Sequence, residues 1–172
     1  MIVLKTNREL ALMREACIIS AGALKLAGEA VEPGVTTAEI DKIAYDYIIK
    51  CGAKPNFLNY NGYPATACIS INDEVIHGIP SKKRVIEEGD IVSIDLGAVL
   101  EGFNGDNAAT FAAGAISSEA KRLCDTTKES LFLGIEKAVA GGRIGDIGYA
   151  VQHHCESRGY SVVREFVGHG VG

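Results

Sequence analysis

The chain has 172 residues, 47% of them hydrophobic and 23% charged, with a net charge of −5, a balance that suits one globular domain with its own core. That acidity argues against nucleic acid as the main partner, because phosphate binding needs a basic surface, and the only short basic run is "SKKR" at 81–84. No apolar run suits a signal peptide or a membrane span, and five scattered cysteines without CxxC spacing argue against a disulfide framework or zinc knuckle and for a reducing cytoplasm.

Thr6 with Glu9 forms a capping box that opens a helix over roughly residues 7–31, stopped by "EPG". Thr36 with Glu39 forms a second one. The helix it opens carries Ile40, Ile43, Ala44, Tyr47 and Ile48 on one face, and Gly52 follows its end. "KPNFLNYNGYP" is rich in turn residues and reads as a loop, and "ATACISIN" alternates and reads as a strand. "EEGD" at 87–90 is a turn. "IVSIDLGAVL" is a strand, "EG" at 101–102 a tight turn and "FNGDNAATFAA" the return strand of a hairpin. Ser117 or Ser118 caps a helix to about Val139, and another runs from about Asp146 to Arg158. The segment "YSVVREFVGHGVG" reads as a last strand. Helix, glycine-containing turn, helix and strand thus occur twice, and only the first copy is followed by a hairpin.

Asp95 and Asp106 are the first chemical signal. A strand points alternate residues to opposite faces. Val92, Ile94, Leu96 and Ala98 read as its core face, and Ser93, Asp95 and Gly97 as a small polar one. With a two-residue "EG" loop, position 95 pairs with 108, so Asp106 becomes its diagonal neighbour on the same face. Two carboxylates at ~5 Å repel by roughly 3 kcal/mol at an effective dielectric near 20. A cation between them removes that cost; the alternative is a shared proton. An added imidazole would shift the expected metal from magnesium or calcium towards manganese, iron, cobalt or zinc. Of the four histidines, His153 and His154 lie mid-helix and read as structural or surface residues. His77 sits in a loop before Pro80, and His169 lies between two glycines.

"HGIP" at 77–80, "NYNGYPATACISIN" at 59–72, "SIDLGAVLEGFNGDNAATF" at 93–111 and "REFVGHGVG" at 164–172 together resemble the type I methionine aminopeptidases, in order and with matching spacing along essentially the whole chain. The resemblance implies an α+β, pita-bread (creatinase/aminopeptidase) fold: a curved antiparallel sheet backed by helices, with two pseudo-symmetric halves, here forming one catalytic domain over 1–172. It implies a metalloexopeptidase that hydrolytically removes the initiator methionine from nascent proteins with two divalent ions (Co, Mn, Fe or Zn). Asp95, Asp106 and His169 match the family's metal ligands. His77 matches a catalytic residue that contacts substrate near the scissile peptide. Phe57, Tyr60, Tyr63 and Cys68 match the region lining the methionine pocket, and Asn72 lies where some members hold a monovalent cation. The partners implied are amino-terminal methionyl peptides, nascent chains and the ribosome, with a monomeric protein in the cytoplasm and no membrane or direct nucleic-acid role.

Two departures qualify this. Asn104 stands where the family often has histidine. The family also continues past "GHG" to a further histidine and two glutamate ligands, so the second half reads as incomplete and lacking its last strands. The expectation is a chain with weak binding of one ion, little turnover and self-association through an open sheet edge. The alternative function is a catalytically incomplete fragment or a non-catalytic peptide-binding pita-bread module.

Overall fold

The computed structural model describes residues 4–171. They divide into two compact units: one runs to Ile116 and takes in Gly170, and the other is Ser117–His169.

The first unit opens with helix α1 (Asn7–Glu29) and helix α2 (Thr37–Lys50). Both expected capping boxes are present. The Thr6 backbone N–H donates to the Glu9 carboxylate at 2.7 Å, and the Glu9 N–H donates to the Thr6 hydroxyl at 3.3 Å. Thr36 and Glu39 repeat the pattern at 2.8 and 3.3 Å. Such reciprocal bonds satisfy donors that a helix start otherwise leaves orphaned. The buried stripe of α1 is Ala16, Ile19, Ser20, Ala23, Leu24 and Ala27, mostly small side chains. That of α2 includes Ile40, Ala44 and Ile48.

Four strands follow: β1 (Lys54–Pro55), β2 (Ala67–Ile71), β3 (Ile91–Leu100) and β4 (Phe103–Ala112). The long strand β3 is the centre. β4 runs antiparallel along one edge, and β1 and β2 pair antiparallel with successive stretches of the other. Val92, Ile94, Leu96 and Ala98 are fully buried and pack with Ile40, Ile48, Ile69, Ile71 and Ile86. Each larger aliphatic side chain so buried contributes about 1.5–3 kcal/mol. The sequence reading of β2 as an alternating strand changes here: all five of its residues are buried. Its second face is covered by backbone and side chains of flanking loops, which alternation alone does not anticipate.

The second unit holds α3 (Ser118–Ile135) and α4 (Ile144–Glu156). Ser117 is the α3 cap, accepting from the Ala120 N–H at 3.1 Å. α3 ends four residues before the expected Val139, where turn hydrogen bonds replace the helical ladder ahead of Gly141. Asp146, expected to start α4, lies inside its first turn instead and accepts from the Arg143 N–H at 2.9 Å. Gly134 lets the helices approach closely: a Cβ there would lie 3.0 Å from Val151 Cγ2.

The expected last strand is not formed over 160–171. A strand exists only through hydrogen bonds to a neighbour, and no described segment pairs with this one. The second copy of the repeat therefore shows its two helices and no strand. No helix among the described residues is long and apolar enough to cross a membrane.

Gly105 marks where α1 meets the sheet. A Cβ at that position would lie 2.4 Å from the Ala16 carbonyl oxygen and 2.6 Å from Cys17 Cα. Gly105→Ala should destabilise the chain by about 1–3 kcal/mol, the usual cost of overpacking, seen as a lowered urea midpoint with unchanged slope.

Candidate metal and substrate site

The hairpin between β3 and β4 sets the geometry. Glu101 and Gly102 have φ of 49° and 85°, the two positive values of a type I′ turn. Leu100 pairs with Phe103, Asp95 with Ala108 and Gly97 with Asp106. Directly opposed residues share a face, so Asp95 and Asp106 are diagonal neighbours on one side of the sheet, in the register expected from the two-residue loop. The same face carries Ser93, Thr110 and Asn104. Ser93 and Thr110 hydroxyls share a 2.8 Å hydrogen bond, and Asn56 donates to the Asn104 side-chain oxygen at 3.1 Å.

β2 adds to this face. Cys68 stands opposite Asp95 and Ser70 opposite Ser93. Burial raises the Cys68 thiol above its ordinary value; contact with Tyr63 works against that rise, and the charges of Asp95, Asp41 and Asp106 add to it. Burial likewise raises the Tyr63 hydroxyl, helped by Cys68, Asp41 and Asp95. Both groups therefore stay neutral at physiological pH. The single Tyr63 O–H lies 3.1 Å from the carbonyl oxygens of both Ala67 and Gly78, which share it as acceptors.

His77 sits at the outer edge of β2 with φ of 62°, left-handed backbone that few side chains adopt. Gly78 follows it and is held on β2: its carbonyl accepts from the Ile69 N–H at 2.8 Å, and its N–H donates to Ser70 Oγ at 3.1 Å. Only glycine fits there, because a Cβ would lie 2.1 Å from the Ile69 carbonyl oxygen.

The remaining expected residues are placed as follows. Phe57 is half-buried, and Tyr60 is 69% exposed on a short 3₁₀ turn, Tyr60–Gly62. Asn72 donates to the Asp90 carboxylate at 2.7 Å and accepts from the Ile91 N–H at 3.0 Å. His169 is exposed and belongs to the second unit. In that unit His154 pairs with the Glu129 carboxylate at 3.0 Å, which suits the structural role expected for it, while the His153 ring lies 5.5 Å from that of Tyr149.

Two carboxylates as diagonal neighbours on one sheet face are a donor pair that fits a divalent cation. Among the described residues no group of three His, Cys, Asp or Glu side chains is arranged to hold a metal. The structure thus brings together Asp95, Asp106, Cys68, Tyr63 and the Gly78 anchor of His77.

Sequence reasoning missed Ser70 and Asp41. Ser70 was legible, since it lies two residues after Cys68 in a strand and so shares its face. Asp41 had no local signal. One of its oxygens accepts from the Thr66 and Ala67 N–H groups, at 2.9 and 2.8 Å, across a gap of 25 residues or more.

A model of metallopeptidase family M24 matches residues 11–172. The chain belongs to that family. Its relatives include methionine aminopeptidase of Clostridium acetobutylicum, 54% identical over the whole chain and 69% of that protein. Methionine aminopeptidase 1 of Bacillus subtilis is 47% identical over the same shares. The crystal structure of methionine aminopeptidase from Thermotoga maritima superposes with a TM-score of 0.95 at 39% identity, covering all of this chain and 69% of that one. A prolidase from Pyrococcus furiosus, 23% identical with a TM-score of 0.82, shares the fold. The expected α+β pita-bread fold and the M24 hydrolase class therefore both stand.

Burial raises the Asp41 carboxyl above its ordinary value, while the hydrogen bonds from Ala67 and Thr66 oppose that rise. The folded chain then holds this proton to higher pH than the unfolded chain does. Stability is lost as pH rises through that window. Asp41→Asn keeps the single accepting oxygen and removes the buried charge. It should raise the urea midpoint at pH 7, and the gain should shrink as pH falls below the usual aspartate range.

Proposed function

We propose that this chain is a metal-dependent aminopeptidase domain, spanning 1–172 across both units, that acts on amino-terminal methionine. The observation that carries the reading is the carboxylate pair Asp95 and Asp106 on one sheet face, with Cys68 opposite Asp95, in a chain of the M24 family. The relatives named above are methionine aminopeptidases. Asp95 and Asp106 would hold divalent cation, and for His169 the ligand role is the one its match to the family's "GHG" motif implies. When bound, divalent ions supply Lewis acidity towards the scissile carbonyl and a nucleophile at neutral pH. The divalent metal would be one of Co, Mn, Fe or Zn, and Asn72 would stand beside a monovalent cation, as the family match implies.

The chain's own residues do the rest. His77 hydrogen-bonds the substrate beside the scissile peptide and stabilises charge on the carbonyl oxygen. Phe57, Tyr60, Tyr63 and Cys68 line the methionine pocket, where a polarizable thiol edge suits a thioether. Five free cysteines, one of them the exposed Cys51, support a reducing cytoplasm, where nascent chains and the ribosome are the partners. β4 has one strand neighbour among the described residues, β3, which supports self-association along its other edge.

A second reading is that the chain binds methionyl peptides with little turnover. It is favoured by the absence, among the described residues, of a group of three metal-ligating side chains.

Calorimetric titration of the purified chain with manganese or cobalt should show weak binding of one ion, abolished by Asp95→Asn or Asp106→Asn. Binding untouched by both substitutions would overturn the site. A methionyl-peptide assay with the same metals separates the two readings: release of free methionine supports catalysis, and saturable binding without release supports the second. His77→Ala should lower turnover roughly hundredfold where turnover is present, as loss of an oxyanion-stabilising donor does, and leave metal binding unchanged. Loss of the metal in that variant would assign His77 a different role.

A further inference from the structure

The Gly78 peptide is gripped from three directions. The Ile69 N–H donates to its carbonyl at 2.8 Å, the Tyr63 hydroxyl donates to the same oxygen at 3.1 Å, and Ser70 Oγ accepts from its N–H at 3.1 Å. The first bond is ordinary edge pairing. The other two come from side chains that need not be there for β2 to form. Ser70 is 4% exposed, and its hydroxyl points to the face that carries Asp95. Tyr63 follows the 3₁₀ turn, and its one O–H is shared between the Gly78 and Ala67 carbonyls, each at 3.1 Å, so it bridges the start of β2 and the Gly78 carbonyl. The far side of Ala67 is held by Asp41.

The residue immediately before this grip is His77, in left-handed backbone with φ of 62°. Outside glycine such a conformation costs about 1–3 kcal/mol and persists where surrounding structure over-determines it. The apolar side chains around it make no core there: Val75, Ile76 and Ile79 are all exposed. Ser70 holds the N–H of the peptide joining 77 to 78, and Ile69 and Tyr63 hold the carbonyl of the next peptide, so the backbone from which the His77 side chain projects is restrained on its C-terminal side.

We propose that Tyr63 and Ser70 are positioning residues whose hydroxyls clamp the Gly78 peptide to the edge of β2 and so aim His77. Tyr63 then contributes through its hydroxyl to the direction of His77 as well as through its ring to the pocket. The consequence for peptide binding rests on the reading of His77 as a substrate contact.

The clamp is tested in the metal-free chain by nuclear magnetic resonance of the His77 ring and by amide exchange at Gly78. Tyr63→Phe and Ser70→Ala should each shift and broaden the His77 ring signal and leave those of His153 and His154 in place. Ser70→Ala should raise exchange at the Gly78 N–H roughly tenfold, the scale of one lost hydrogen bond. Ser70→Thr, which restores a hydroxyl, should bring both back, and Tyr45→Phe should change neither. Should Ser70→Ala fail to fold, Tyr63→Phe decides alone, since it removes a single oxygen. An unmoved His77 signal in Tyr63→Phe overturns the clamp.

A second measurement uses a methionyl peptide. Tyr63→Phe should weaken its binding about fivefold in the native background and leave it unchanged in the His77→Ala background. Equal weakening in both backgrounds would place the effect in the pocket and overturn the positioning role. If His77→Ala itself leaves binding and turnover untouched, the substrate-contact reading falls, while the ring signal still decides the clamp.

Discussion

Everything at the candidate site depends on the register of one hairpin. Ten residues of β3 pair with ten of β4, from Ile91 with Ala112 to Leu100 with Phe103. Side chains alternate with a period of two, so slipping the pairing by one residue would send Asp106 to the helix side and leave Asp95 where it is. The turn prevents this. A two-residue type I′ loop admits only one pairing, and its twist matches that of the strands. Glu101 takes positive φ without being glycine, a local cost that the ladder on either side holds in place.

The same alternation divides the work of the two faces. On the helix side, Gly105, Asn107 and Phe111 of β4 meet α1: Gly105 lies against Ala16, Asn107 donates to the Ser20 hydroxyl, and Phe111 packs over Gly28. The small residues in the stripe of α1 are what let the helix come this close. The helices pack on that face, and on the other, loop residues such as Tyr63 and Gly78 bring polar groups beside Cys68 and Ser70.

Those loops are not loosely attached. Asp41 reaches from α2 to two backbone N–H groups at the start of β2. The Thr37 hydroxyl accepts from the Ser81 N–H at 2.9 Å, and the Ile86 N–H donates to the Val35 carbonyl at 2.9 Å. The segment that carries His77 is therefore secured at Gly78, Ser81 and Ile86 while its apolar side chains remain exposed. Rigid anchors beneath an exposed loop are a reasonable way to present a side chain to a ligand.

Local chemistry made much of this legible in the amino-acid sequence. Both capping boxes, the two-residue turn at 101–102, the core face of β3 and the shared face of Asp95 and Asp106 follow from interactions between residues close in the chain or from the period of a strand. These are short-range rules, and they hold wherever the segment is placed. What only the tertiary structure decided involves partners far apart. β2 is buried on both faces because loops from either side of it in sequence close over Cys68 and Ser70. Asp41 acts on residues 25 and 26 positions away. The segment 160–171 has strand-forming residues and no strand, because a strand is a property of two segments and the chain's own pattern can specify only one of them.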